Sequence, residues 1–438
     1  MEGGSLMEIK FTPRKLEGAI DAMPSKSHAH RLLIAQKLAH LQGRASEESV
    51  EISPFSDDIE ATMNCLGQLD KNTPYLECGE SGSTLRFLLP VTMALKDGAC
   101  FLGAGGLPDR PLSPLKEEME LHGCRFRMGA NKGDDKFEEI CSVRGRLEAG
   151  EYFLPGNVSS QFITGLLFAL PLLDAESTLI LTTELESAGY VDMTLHVLRR
   201  FGLEIYTEFT ESGLLMYRVP GNQVYIEPEG LTPEGDWSNA AFWLAAGVLS
   251  GDITVRGLNM ESCQRDKEII SILQQMGAAP EITTHSDGLS DIRTVACCLK
   301  GAEIDVSQIP DLAPVLAVIM SSAEGTSMIS HGERLKFKES NRMKSIYAML
   351  YALGADISYG GDRLSITGKA FLEGGHTDSR NDHRIAMAAA VASCLCSGEV
   401  FLENPIAVTK SYPDFYNDFI DLGGEPEYLW NQNSEKNL

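Results

Sequence analysis

Six glycines, Gly67, Gly123, Gly202, Gly277, Gly354 and Gly423, close segments of one recurring design along this 438-residue chain. The segments ATMNCLG, KEEMELHG, HVLRRFG, ISILQQMG, IYAMLYALG and YNDFIDLG are amphipathic. A glycine just past the last helical turn is the expected left-handed cap, because it has no Cβ to clash there. Each glycine therefore predicts a helix end. A second series alternates with the first: SKSHAHRLLIAQKLA, ESGSTLRFLLPVTMAL, GNVSSQFITGLLFALPL, GDWSNAAFWLAAGVL, QIPDLAPVLAVIM and RNDHRIAMAAAVASCL. These run apolar nearly all round behind a polar head, the pattern of a buried helix. Strand-like runs such as STLILTT, GDITVRG and EVFLENP lie between them. The repeat predicts a layered α/β architecture of three units, present twice. The length agrees, since a single core rarely extends over so many residues.

Charge narrows the function. With 62 acidic against 37 basic residues, the formal charge is -25. A nucleic-acid binder needs a net basic face, so that class is disfavoured. A small anion feels a local cluster and is not excluded. The ten cysteines form no CxxC pair, and no HExxH occurs among the nine histidines. Neither a disulfide framework nor a zinc site is expected. The start, MEGGSLMEIKF, lacks a basic-then-apolar signal pattern, and Met7 is an alternative first residue. No apolar run reaches the about 18 residues a membrane span needs, so a cytoplasmic protein is expected.

Chemistry should gather at the heads of the buried helices, where unpaired N–H groups and the positive dipole end attract anions. PSKSHAHR supplies Lys26, Ser27 and Arg31, and ESGSTLR supplies Gly82, Ser83 and Arg86. GAGGLPDRPLSPL sets Arg110 before Pro111, which reads as a helix start. NVSSQ gives Ser159, Ser160 and Gln161, and IPDLAP gives Asp311. ERLKFKESNR carries Lys336, Lys338, Glu339 and Arg342, with Glu339 and Arg342 spaced to share a face. RNDHRIAM places Asp382, His383 and Arg384 where charge should face an open site, and TKSYPDF holds Lys410. Each string alone also reads as a serine cap, a salt-bridged face or a turn, and ESGSTLR is no Walker loop. Cations at a helix start oppose the dipole, a cost that a bound anion would offset. Many cations beside two carboxylates, Asp311 and Glu339, suit substrates with several anionic groups and proton transfer among them.

The ordered set SKSxxxR (25–31), SGSTLR (81–86), DRPLSPL (109–115), NVSSQ (157–161), IPDLAP (309–314), RLKFKESNR (334–342), NDHRIAM (381–387) and KSYPDF (410–415) closely resembles the 5-enolpyruvylshikimate-3-phosphate synthases of the enolpyruvyl transferase family. The likeness runs from about residue 8 to 428. It implies two domains, each of three βαβαββ units with buried helices. One would comprise residues 1–20 and 236–438, the other residues 21–235. It also implies transfer of the enolpyruvyl group of phosphoenolpyruvate to the 5-hydroxyl of shikimate 3-phosphate, with no metal or organic cofactor, by a monomer. Shikimate 3-phosphate would be held by Lys26, Ser27, Arg31, Ser159, Ser160, Gln161, Ser187, Asp311 and Lys338. Phosphoenolpyruvate would meet Lys26, Gly82, Arg110, Gln161, Arg342, Arg384 and Lys410. Asp311 would be the base for the hydroxyl, and Glu339 with Lys26 would handle the proton at C3. Phe87 stands where many relatives have proline, and Asn341 where aspartate is frequent. Gly82 is kept, which implies sensitivity to glyphosate. The sister enzymes acting on UDP-N-acetylglucosamine typically carry a cysteine in the loop GAGGLPDRP, and none is there. A non-catalytic anion-binding protein of this fold would not need Asp311 and Glu339 together.

Overall fold

The computed structural model describes residues 7–44, 53, 55–129 and 137–430. Its contacts divide the chain into two compact units, Ser25–Pro233 and Met1–Pro24 with Glu234–Leu438. The first holds helices α1 (Lys26–Leu41), α2 (Asp57–Gln68), α3 (Gly82–Leu95), α4 (Leu115–Leu121), α5 (Ser160–Ala169) and α6 (Ala188–Arg200). The second holds α7 (Trp237–Ser250), α8 (Ile269–Gln275), α9 (Ala313–Met320), α10 (Arg342–Ala352), α11 (His383–Ser393) and α12 (Phe415–Asp421). Odd-numbered helices are the apolar series and even-numbered ones the amphipathic series. Every residue of α9 and α11 is buried. In α10, by contrast, Met343, Ile346, Met349 and Leu350 are buried on one face.

Among the described residues, five four-stranded sheets share one plan, a parallel pair extended by two antiparallel strands. Within Ser25–Pro233, Tyr75–Glu77 pairs parallel with Gly98–Gly103, followed by Glu138–Arg144 and Arg125–Met128. Glu151–Leu154 and Ser177–Leu181 begin the next, which continues through Leu215–Val219 to Tyr206–Phe209. In the other unit, Glu303–Asp305 and Thr326–Ser330 are parallel, then Arg363–Thr367 and Asp356–Gly360. Parallel neighbours need a crossover instead of a tight turn, and α3, α5 and α9 supply it in these three sheets. That is why the odd helices are apolar.

The remaining two sheets show how the chain closes. Gly375–Asp378 and Val400–Glu403, crossed over by α11, are completed by Met7–Phe11 and Pro426–Trp430, strands from near both ends of the described chain. Glu17–Asp21 pairs parallel with Asp252–Leu258, so all of Ser25–Pro233 lies within that crossover, together with α7. Each unit has its own apolar core.

Five of the six expected glycine caps are present: Gly123, Gly202, Gly277, Gly354 and Gly423 all have φ between 80° and 102°. Gly67 is the exception, an exposed residue inside α2. The helix runs on because Leu69 is fully buried and is delivered by that extra turn. Pro111 does not open a helix either. α4 starts at Leu115, after a turn that seats Leu112 in the core. The two kinds of glycine should respond oppositely to alanine. Gly202→Ala, whose Cβ would meet only Ile226 at an ordinary 3.8 Å but with φ at 80°, is expected to lower stability by about 1–2 kcal/mol in urea unfolding. Gly67→Ala is expected to raise it by up to about 1 kcal/mol, because alanine favours a helix interior.

Candidate functional site

In Ser25–Pro233 the polar heads are ordered by serine caps. Ser25 accepts from the His28 N–H, Ser81 from Thr84 and Ser159 from Gln161. Lys26, the first residue of α1, forms an ion pair with Asp58 at 2.8 Å. Asp58 lies in the first turn of α2, where a carboxylate suits the dipole. Arg31 is almost fully buried. Its guanidinium donates to Thr194 Oγ1 (2.8 Å), the carbonyls of Ser27 (2.6 Å) and Tyr190 (2.9 Å), and Thr164 Oγ1 (3.4 Å). All four acceptors are neutral. Burial pushes the group down to about 9, the mark of a charge lacking an anionic partner. Phe87, the departure from proline, puts its ring centroid 5.1 Å from the Arg31 Cζ. A cation over an aromatic face recovers part of the lost solvation.

A second node ties α3 to α5. The Gln161 carbonyl oxygen accepts from Arg86 at 2.6 Å, and its amide donates to Ser83 Oγ at 3.0 Å. Arg86 also donates to the Pro111 carbonyl at 3.2 Å and stacks over Phe162. Gly82 opens α3 beside the Arg110 guanidinium, whose atoms a Cβ there would meet at 2.7–2.9 Å. Only glycine permits that approach. Ser160 and Ser187 are both buried, with Ser187 left-handed at φ 55° before α6.

The histidines of PSKSHAHR, His28 and His30, belong to the interior. His30 shares a 2.8 Å hydrogen bond between Nδ1 and Thr62 Oγ1 and meets Phe87 edge-on. Burial, then Arg31, pushes His28 down to about 3, and burial likewise holds His30 well below the usual range. Both imidazoles are neutral near pH 7.

The other unit carries a denser cluster, centred on Arg342. Only 1% of its side chain is exposed. Nε donates to Asp382 Oδ2 (2.8 Å), and the terminal nitrogens to Asp311 Oδ1 (2.5 Å) and Glu339 Oε2 (2.6 Å). Burial pulls the guanidinium down, but Asp382, Glu339 and Asp311 outweigh it and hold its pKa well above the ordinary value. Asp311 also pairs with Lys338 (3.2 Å) and Arg384 (3.4 Å). Burial holds the Lys338 ammonium below the usual lysine range, against the pull of Asp311. Lys410 donates to the Asn381 carbonyl at 2.7 Å. Asp311, Lys338, Glu339, Arg342 and Arg384 thus form one bonded set.

Asp382 does not face an open site. It is fully buried, caps α11 through the Arg384 N–H, and accepts from Ser340 and Arg342. A carboxylate is needed there because Arg342 is buried. Asp58, Thr164 and Thr194 complete the other unit's nodes, though no motif in the sequence marked them. Among the described residues, no group of His, Cys, Asp and Glu could hold a metal ion. No described helix is long and apolar enough to cross a membrane.

The fold is that of the enolpyruvyl transferases. It matches the solved EPSP synthase of Acinetobacter baumannii with a TM-score of 0.76 at 22% identity, covering 97% of this chain and 100% of that one. It also matches the enolpyruvyl transferase NikO of Streptomyces tendae, with a TM-score of 0.69 at 16% identity, covering 98% and 100%. The family model described as EPSP synthase (3-phosphoshikimate 1-carboxyvinyltransferase) matches residues 11–419. Curated 3-phosphoshikimate 1-carboxyvinyltransferases are close in sequence. That of Clostridium novyi is 39% identical over 95% of this chain and 97% of its own length. That of Clostridium perfringens is 40% identical over 96% and 99%. The chain belongs to the EPSP synthase family, and its activity is the enolpyruvyl transfer of the shikimate pathway.

The charge node also sets stability. Arg342→Met would strand Asp382 in the interior, and urea unfolding should show a loss of about 3–5 kcal/mol.

Proposed function

We propose that the transfer runs by addition and elimination, with the two charged sets engaging the same pair of substrates. Protonation of C3 of phosphoenolpyruvate makes C2 cationic, and the 5-hydroxyl of shikimate 3-phosphate attacks it. Loss of phosphate from the tetrahedral intermediate, with the proton leaving C3, restores the enol ether. Asp311 takes the hydroxyl proton, and Glu339 with Lys26 moves the proton at C3. One observation carries this assignment: Asp311 is shared by Lys338, Arg342 and Arg384. A proton acceptor and three anion-binding cations therefore lie in one bonded set. An arriving phosphate or carboxylate would take over part of those cations' bonding and free the acceptor.

Shikimate 3-phosphate takes Lys26, Ser27, Arg31, Ser159, Ser160, Gln161, Ser187, Asp311 and Lys338. Arg31 supports its part, because its charge is met by neutral oxygens alone. Phosphoenolpyruvate takes Lys26, Gly82, Arg110, Gln161, Arg342, Arg384 and Lys410. Glyphosate would compete with it. A monomer acting in the cytoplasm without metal or organic cofactor completes the reading.

Phosphate release from phosphoenolpyruvate should require shikimate 3-phosphate. Release with UDP-N-acetylglucosamine instead would overturn the assignment. Asp311→Ala and Glu339→Gln are each expected to lower kcat by about 10²–10⁴-fold, the span of general acid–base catalysis, and far more than they change KM. Near-normal turnover in both would remove them from the mechanism. Gly82→Ala must displace the Arg110 guanidinium. It is expected to lower kcat/KM for phosphoenolpyruvate by about 10–100-fold through misplacement, with KM for shikimate 3-phosphate nearly unchanged.

A further inference from the structure

Two threonines far from Arg31 in the chain decide how its guanidinium is held. Thr164 lies on α5 and Thr194 on α6, and both are fully buried. A guanidinium carries five N–H groups and no acceptor. Nε–H of Arg31 goes to Thr194 Oγ1, one terminal nitrogen donates to the Tyr190 carbonyl and to Thr164 Oγ1, and the other donates to the Ser27 carbonyl. Four N–H groups are thereby placed. One, on the nitrogen that Ser27 holds, has no partner among the described residues. Phe87, 5.1 Å from the Arg31 Cζ, supplies no acceptor for it.

The threonines admit one complete placement of their protons. Their oxygens are 2.9 Å apart, and Thr194 Oγ1 is also 2.9 Å from the Tyr190 carbonyl. A hydroxyl has one proton to donate and two lone pairs. If Thr194 donates to Tyr190, it accepts from Thr164 and from Arg31, and all its capacity is used. In the reverse sense, with Thr194 donating to Thr164, the Thr164 proton has no acceptor among the described residues, a costly state in the interior. Thr164 therefore donates to Thr194 and fixes the direction of the Thr194 lone pair that receives Arg31.

We propose that Thr194, aligned by Thr164, is a positioning residue that stops the Arg31 guanidinium from rotating and so reserves its one remaining N–H for an anionic oxygen of shikimate 3-phosphate. The inference rests on the assignment of that substrate to Arg31. It makes the contact a single bond, where arginine often grips carboxylate or phosphate with two. A single N–H must be aimed, because no second bond corrects a tilt. Without the Thr194 oxygen, Nε–H would be buried with no acceptor, and the guanidinium would turn to satisfy it at the expense of that aim.

The hydroxyl and the methyl of Thr194 can be removed separately. Thr194→Val keeps the branched shape without the oxygen, and Thr194→Ser keeps the oxygen without the methyl. KM for each substrate is measured by phosphate release with the other substrate saturating. Thr194→Val is expected to raise KM for shikimate 3-phosphate by about 10–100-fold, with KM for phosphoenolpyruvate nearly unchanged. Thr194→Ser is expected to stay close to the wild type for both. A serine variant as impaired as the valine variant, or a rise shared by both KM values, marks a packing role and overturns the proposal. A valine variant with wild-type KM values overturns it too. Should Thr194→Val not fold, Thr164→Val decides: it removes the aligning hydroxyl and is expected to raise KM for shikimate 3-phosphate by about 3–10-fold, and an unchanged KM overturns the proposal. Arg31→Met separates this inference from the reading beneath it. If that variant leaves KM for shikimate 3-phosphate unchanged, the assignment of Arg31 falls and the inference with it. A raised KM in Arg31→Met beside a wild-type KM in Thr194→Val overturns this inference alone.

Discussion

A parallel pair of strands cannot close through a tight turn, and each sheet's parallel pair is bridged by a crossover containing a buried helix. Much of the rest follows from that constraint. A crossover helix packed inside a unit must be apolar on all sides, as α9 and α11 are. Its N-terminal end still carries N–H groups without intrahelical partners. Serine and aspartate side chains answer those groups at the caps of α1, α3, α5, α7 and α11, so polar residues concentrate where these apolar helices begin. The same geometry that builds the core thus gathers the chemistry.

Concentrating charge at helix heads is costly, and the two units manage it differently. Around Arg342 the chain matches a buried guanidinium with Asp382, Asp311 and Glu339. Such a network adds little net stability over an apolar filling, yet loses much when one member is removed. Under the proposed mechanism its shared carboxylates would change partners when an anion arrives. Asp382 is the fixed member, held by the α11 cap and Ser340. Asp311 is the shared one.

The repeat was legible in the sequence because both of its signals are local. Apolar runs identified the crossover helices, and five glycines adopt the left-handed conformation predicted for them. Gly67 failed that reading because burial of Leu69, a tertiary effect, outweighed the cap signal. Pro111 failed for a similar reason, with Leu112 drawn into the core before α4 begins. The site shows the same boundary. Glu339 and Arg342 are three residues apart and do pair, at 2.6 Å. Lys26 finds Asp58 32 residues away, and Arg31 finds Thr194 163 residues away. No local pattern encodes those partners. His28 and His30 stand between Lys26 and Arg31 in PSKSHAHR, yet burial keeps both neutral.

The contrast between Arg31 and Arg342 shows what the three-dimensional partners add. Both are buried guanidiniums at helix heads and look equivalent in the sequence. Arg31 is fixed by two hydroxyls and two carbonyls, with an aromatic ring beneath it, so its orientation is set while its charge stays unmatched. It can receive an anion without first releasing one. Arg342 is matched three times over, so an anion that reaches it must displace or share carboxylates already in place. The first arrangement suits a group that must be held still. The second suits the proton transfers proposed for Asp311 and Glu339, because each exchange of partners alters how strongly a neighbouring carboxylate holds its proton. The sequence names the two arginines, and their partners separate the roles proposed for them.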